Sequence, residues 1–522
     1  MRTRPTIRAV NGLVASGHHL ATVAGIESLR EGGSATDAAV AAAAVCAVVL
    51  PHRTSIGGDL FALVYDARTR RVTAYNGSGA ASRHLDVESF AGGYPSGGTR
   101  TATVPGVVAA WEDLMADWGR LGLERALRSA IHYAAHGFPV SDVLAGDIAE
   151  HSAALAADPG CARVFRPREL GVGEILVQPE LAAALREIAE QGATAFYRGA
   201  LAERLADGIA RLGGDIDRED LAAHATERRD PLSVDYRGFR VFGQPPVSQG
   251  HVLLEELAIA SGRDFSGMEW GGADLVHEMV EIKKLAFADR DAHAGDPRAV
   301  AFSAEALLDP AFVEARRAAL PGRATERVDA GALAAAMPAD TTYLAVVDRD
   351  GNAVSLIESV FSAFGAVTIV PETGVLLNSR LTGFSLDPAS PNALAPGKRP
   401  VHTLNAAMAL DGARPRFVFG TPGRQAQVQT NFQLAVALID HGLDVQEAID
   451  QPRWYHERGR ELRIEARYPQ EVRRALAEKG HDVRLLPDWA EVTGGAQAIA
   501  VDPRGVLAGG ADPRREGLAA GY

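Results

Sequence analysis

Apolar residues recur at helical spacing through several stretches of this chain, and short runs rich in β-branched and aromatic residues lie between them. The most apolar run, AAVAAAAVCAVVL from Ala38 to Leu50, follows Ser34 and Asp37, which stand at the spacing of an N-terminal capping pair. It is too short to cross a bilayer and predicts a buried helix. LFALVYD (Leu60 to Asp66) and RRVTAYN predict a hairpin turning at ARTR. Helices are predicted for ELAAALREIAEQ, for ALAERLADGIARL and for LVHEMVEIKKLAFADRDAHAGDP, the last stopping at Gly295 and Pro297.

The pattern then breaks. PGRATERVDAGALAAAMPAD, residues 321–340, is rich in small residues without strand alternation and reads as an exposed, cleavable connector. Directly after it, TYLAVVD, the turn DRDG and AVSLIESV predict a second hairpin, and FGAVTIVPETGVLLN continues the strand pattern, with FVFG and two helices later. The chain thus divides into a large segment, 1–340, and a small one, 341–522, that opens on the pair Thr341 and Thr342. An interior threonine is a weak nucleophile, but a cut before Thr341 would place a free α-amine beside its own hydroxyl, joining nucleophile and base in one residue.

Composition narrows the setting. With 47% hydrophobic and 23% charged residues the chain is of soluble globular type, and a net charge of -13 argues against nucleic-acid or anionic-membrane surfaces. The basic start, MRTRPTIRAVNGLVASGHH, lacks the apolar stretch of a signal peptide, so a cytoplasmic location is expected. Cys46 and Cys161 lie far apart in sequence, and Cys46, in its apolar run, is expected to be a buried free thiol rather than part of a disulfide or a metal ligand. DRDGNA and DRDAHAGD fail as calcium loops, because their twelfth positions are Ser359 and Val300 rather than glutamate. His18 and His19 have no partner cluster and predict a hydrogen-bonding or surface role. No metal or cofactor is expected.

Several blocks in fixed order carry a family likeness: LREGGSATDAAVAAA, SIGGDLFALVYD, VPGVVAAW, GGDIDREDL, PPVSQG, AFADRDAHAGDP, DTTYLAVVDRDGNAVS, PGKRPVHTL and GTPGRQAQ. Through them the chain resembles the γ-glutamyltransferase family of N-terminal nucleophile hydrolases over nearly its whole length. The resemblance implies an α/β fold, a four-layer αββα sandwich formed jointly by the two segments. It implies self-cleavage between Asp340 and Thr341, and an acyl-enzyme on Thr341. The processed segments would stay together as a heterodimer, with a dimer of these as a further possibility. Ser359 falls where the family has a hydroxyl near the nucleophile's amine, and a polar residue facing out of a strand is the alternative. Gly423 and Arg424 occupy the Gly-Gly oxyanion position, where backbone N–H groups do the work, although arginine disfavours an unusual backbone angle.

The γ-glutamyl recognition set is replaced. Gly77 stands where the family has an arginine for the substrate carboxylate, and Phe361 where it has an asparagine. Arg380 and Gly383 replace a glutamine and an aspartate, and His402 and Thr403 replace a serine pair. An ammonium needs acceptors, and Arg380 repels it. FSLDPASPNALAP is also short for a lid loop. The pattern is closer to the family's hydrolase branch, which includes GGT-type cephalosporin acylases and oxamate amidohydrolase. There Arg380 would clamp a carboxylate on the acyl group, helped by His402 and Thr403, with Phe361 adding apolar bulk; a structural ion pair is the other role open to Arg380. The expected activity is cleavage of a small-molecule amide whose acyl half bears a short carboxylate. The alternatives are a γ-glutamyl hydrolase or transferase, a biosynthetic homologue that breaks a carbon–carbon bond and releases oxalate, and a non-catalytic scaffold.

Overall fold

A computed structural model describes residues 3–166, 169–301, 303–327 and 340–522. The alternation that predicted strands builds two seven-stranded antiparallel sheets among these residues. The first runs, edge to edge, through Leu518–Gly521, Gly12–Ser16, Asp340–Asp348, Ala353–Phe361, Asp59–Asp66, Arg71–Gly77 and Glu227–Arg229. The second runs through Ile7–Ala9, Leu507–Ala511, Gln497–Val501, Arg414–Gly420, Ala407–Asp411, Phe239–Gly243 and Leu232–Tyr236. Strands from before and after residue 340 are interleaved in both. The pair Asp340–Asp348 and Ala353–Phe361 is itself flanked by Gly12–Ser16 and Asp59–Asp66.

Successive side chains on a strand point to opposite faces, and the packing follows that rule. Tyr343, Ala345 and Val347 enter the layer between the sheets with Phe61, Leu63, Met408, Val418 and Ile499. Leu344 and Val346 face the opposite way, into helices Ala35–Val49 and Val107–Trp118. The second sheet is covered on its outer face by Gly250–Ala260, Ala273–His293 and Ala426–Ala435. The result is the expected four-layer αββα sandwich.

Local signals explain most elements. Ser34 and Asp37 form a reciprocal capping box on Ala35–Val49, and every residue of that helix is buried. Its alanines let it lie close against the first sheet. His18 is buried, and its Nδ1 accepts the Leu20 N–H at 3.2 Å to cap helix His19–Arg30. Burial lowers the His18 pKa to about 3, so the ring stays neutral and able to accept. Cys46 and Cys161 are buried free thiols. In DRDGNA, the Asp348 carboxylate accepts from Asp350 N, Asn352 N and Ala35 N, so the loop is a hairpin turn tied to a helix start. Among the described residues no helix is long and apolar enough to cross a membrane.

Two expectations change. FGAVTIVPETGVLLN forms only the short strands Ile369–Val370 and Val375–Leu376. Left-handed backbone at Phe364 (φ 55°), Val367 (φ 52°) and Glu372 (φ 66°) interrupts the extended path. The connector is also not uniform. Thr325 Oγ1 donates to Glu281 Oε2 at 2.6 Å and Ala324 N to Lys479 O at 2.9 Å, so residues 321–327 are attached to the second helix layer. Asp340 already belongs to a strand. Residues 328–339 of the connector lie outside the described residues.

Candidate active site

The strand that begins at Asp340 enters the sheet through an irregularity. Asp340 pairs with Phe361 while Thr342 pairs with Glu358, so the partner strand carries an extra residue opposite Thr341. Bulges of this kind re-aim side chains. Thr341 is fully buried, and its hydroxyl donates to Ser359 Oγ at 3.3 Å. Ser359 Oγ also accepts the Phe361 N–H at 2.8 Å, which orients it. Gln427 Nε2 donates to Thr341 Oγ1 at 3.4 Å, and Arg515 Nη1 to the Thr341 carbonyl at 3.2 Å. The structure therefore brings the Thr341 and Ser359 side chains together.

Thr342 meets a different set. It pairs with Glu358 on the helix-facing side of the sheet, with the Cys46 thiol beside it. A Cβ on Gly17 would lie 2.5 Å from Thr342 Oγ1, so any larger residue there would have to push the threonine aside. Burial pushes the Glu358 carboxyl well above its ordinary range, with the Thr54 hydroxyl and the Trp111 indole against it.

Gly423 and Arg424 form the turn between strand Arg414–Gly420 and helix Ala426–Ala435. Both have positive φ, 132° at Gly423 and 60° at Arg424. Arg424 thus holds a left-handed backbone that costs roughly 1–2 kcal/mol in a residue with a Cβ. Its side chain is exposed. A Cβ on Gly423 would come within 2.9 Å of Gly494 Cα, so this close approach requires glycine.

From Thr341 a row of polar groups crosses the sheet. Ser359 is in direct register with Asp59, and Asp59 Oδ2 accepts from Arg380 Nε at 3.1 Å. Both partners of this ion pair are completely buried. Asp59 Oδ1 is occupied by the Gly79 N–H at 2.9 Å, and Arg380 N donates to Asn378 Oδ1 at 2.9 Å. The guanidinium lies 4.4 Å from the centre of the Phe361 ring, and Phe361 has φ 82°. Burial lowers the Arg380 pKa and Asp59 opposes that, so the arginine stays charged. Its Nη1 and Nη2 have no hydrogen-bond partner among the described residues. His402, packed edge-on at 5.0 Å against Phe61, likewise has neither ring nitrogen bonded. Burial, then Arg380 and Arg399, hold the His402 pKa well below its usual value, so its ring is neutral. The buried Thr403 hydroxyl is also without a partner.

Arg380 thus makes the structural ion pair that the sequence left open, while keeping the two nitrogens that a clamp would use. Gly77 has a packing reason: a Cβ there would meet Ala110 Cβ at 2.6 Å. A larger side chain does not fit without movement.

Sequence reasoning missed Asp59, Asn405, Gln427, Asn431 and Arg515. A signal existed for some of them. Helix Ala426–Ala435 reads AQVQTNFQLA and is buried throughout, Gln427, Gln429, Thr430 and Asn431 included. So many amides in a core helix require internal partners.

The Gamma-glutamyltranspeptidase family model matches residues 21–522. The Glutathione hydrolase-like YwrD proenzyme of Bacillus subtilis (strain 168) is 39% identical over 98% of this chain and 98% of its own length. The Oxamate amidohydrolase proenzyme of Klebsiella pneumoniae subsp. pneumoniae is 38% identical over 98% of this chain and 99% of its own length. The crystal structure of cephalosporin acylase from Bacillus halodurans superposes with a TM-score of 0.94 at 36% identity, covering 100% of this chain and 98% of that one. The chain belongs to the gamma-glutamyltranspeptidase family. At that level it is an amidohydrolase of the N-terminal nucleophile class.

Proposed function

We propose that this protein is a self-processing amidohydrolase whose nucleophile is Thr341 and whose acyl group carries a short carboxylate. In the precursor the Thr341 hydroxyl attacks the Asp340 carbonyl. The C–N bond breaks to leave an ester, and water then releases residues 341–522 with a new α-amine. In the mature enzyme that amine takes the hydroxyl proton as Oγ attacks the substrate amide, and the leaving amine departs protonated. Water next attacks the acyl-enzyme, the amine again accepting a proton, and the acid product leaves. Backbone N–H groups of the Gly423–Arg424 turn are assigned to the oxyanion, and Ser359 to orienting the threonine.

The row Thr341–Ser359–Asp59–Arg380 carries the substrate assignment. Cross-strand neighbours stand about 5 Å apart, so the arginine is a short acyl chain away from the nucleophile. Asp59 takes its Nε, which leaves Nη1 and Nη2 as a fork for a carboxylate. His402 and Thr403 supply further unbonded polar atoms nearby. Oxamate-like and other short dicarboxylic monoamides suit this arrangement. The ammonium of a γ-glutamyl donor does not, because the Asp59 carboxylate is already occupied.

Mass spectrometry of the purified protein, with Thr341→Ala as control, should show two chains divided between Asp340 and Thr341 in wild type alone. The cut protein is then assayed on oxamate, on succinic and glutaric monoamides, and on a γ-glutamyl anilide. Turnover confined to the carboxylate-bearing amides supports the assignment; robust turnover of the anilide at neutral pH refutes it.

A further inference from the structure

The side-chain amides behind the nucleophile form a directed relay. Asn405 Nδ2 donates to the Thr403 carbonyl at 3.1 Å, a group that can only accept. The same carbonyl receives Gln249 Nε2 at 2.9 Å. Asn405 is thereby turned with its nitrogen toward Gln427, whose facing atom must be the acceptor Oε1, at 3.3 Å. The Asn405 oxygen receives Asn431 Nδ2 at 2.7 Å. One backbone carbonyl thus sets the sense of the whole chain, and the atom Gln427 presents to Thr341 Oγ1 is its N–H donor, at 3.4 Å. Gln427, Asn405, Asn431 and Thr341 are all fully buried. Water cannot substitute freely for this donor, and a hydrogen bond counts for more in such surroundings.

A fixed donor on Oγ does little for proton removal, since the Thr341 proton points to Ser359. Its value lies at the opposite moment. When an ester on Thr341 is resolved, the acyl carbon–Oγ bond breaks and its electron pair returns to Oγ, which is reprotonated afterwards. Negative charge develops on the atom that Gln427 touches. We propose that Gln427 is a catalytic residue that stabilises Oγ as the leaving group when the Thr341 ester is hydrolysed, in self-processing and in turnover alike. This rests on Thr341 as nucleophile.

Self-processing tests it without any substrate. Freshly purified full-length precursors of wild type, Gln427→Leu and Gln427→Glu are followed over time on denaturing gels. Parallel samples are denatured and treated with hydroxylamine, which splits an ester but not an amide. Gln427→Leu is expected to release the small segment about 10–100-fold more slowly, the range for losing one such donor, and to accumulate hydroxylamine-sensitive ester at the 340–341 position. Gln427→Glu keeps the shape but donates only when protonated, so its rate should recover toward wild type as pH falls; a packing role would give no such recovery. Release from Gln427→Leu at the wild-type rate without ester, or a Gln427→Glu rate that stays low at every pH, overturns the proposal while leaving Thr341 in place. A wild-type precursor that never divides at 340–341 overturns the Thr341 reading, and this one with it.

Discussion

Thr341 and Thr342 share a residue type, a strand and near-complete burial, yet they inhabit different chemistries. One step of the pleat separates them. Thr341 faces the space between the sheets, where Ser359, Gln427 and Arg515 converge on it. Thr342 faces the helix layer, against Gly17, Cys46 and the neutral carboxyl of Glu358. Both environments are buried, but only the first supplies directed donors and acceptors to a hydroxyl. Position relative to the sheet, rather than residue type, separates a proposed nucleophile from a packing residue.

The sharpest way to break that contrast is to exchange roles. Thr341→Ala should abolish both division of the chain and turnover, whereas Thr342→Val should divide and keep activity within a few-fold, read by gel and by amide hydrolysis. Equal loss in both variants would erase the distinction. Further along the Thr341 face, Arg380→Met should lower kcat/KM for carboxylate-bearing amides about 10–100-fold, in line with losing a charged hydrogen bond worth roughly 1.5–3 kcal/mol. Because Asp59 would then be buried alone, a few kcal/mol of stability should go as well, measurable by urea unfolding.

On the Thr342 face the expected effects are on stability. Gly17→Ala forces a methyl group to 2.5 Å from Thr342 Oγ1 and should cost about 1–3 kcal/mol, with catalysis in the folded fraction little changed. Glu358 gives a smaller, pH-dependent signal. Its folded-state pKa is raised, so the native state holds a proton that the unfolded chain releases above the ordinary value of 4.5. Stability therefore declines as pH rises from that value through the raised one. Glu358→Gln should remove the decline, and parallel melting-temperature profiles for the two proteins would contradict a protonated Glu358.

The fold was largely legible because its signals are local. Ser34 and Asp37 marked the start of a helix, and the two hairpins appeared as apolar runs around short turns. Ser359 was singled out through the family resemblance alone, and the predicted hairpin carries both it and Thr341. Asp59 and Arg380 are 321 positions apart, and their ion pair depends on sheet order, which periodicity does not reveal. Gln427 reaches Thr341 across the gap between the two sheets, again a product of layering. The strained backbone at Phe361 was hidden for another reason: bulky residues ordinarily avoid left-handed angles, so nothing in its identity advertises one, whereas at Arg424 the resemblance to a Gly-Gly pair had pointed to an unusual angle.

The interleaving of strands has a consequence for how the molecule ages. If the bond before Thr341 is cut, two chains remain locked through both sheets, each supplying strands that the other flanks. Nothing need move for the protein to stay whole. Once melted, however, the pieces must find one another in solution, having lost the high effective concentration that a single chain provides. Cleavage would thus turn a reversible fold into a one-way product, whose lifetime is set by how slowly it opens rather than by any equilibrium.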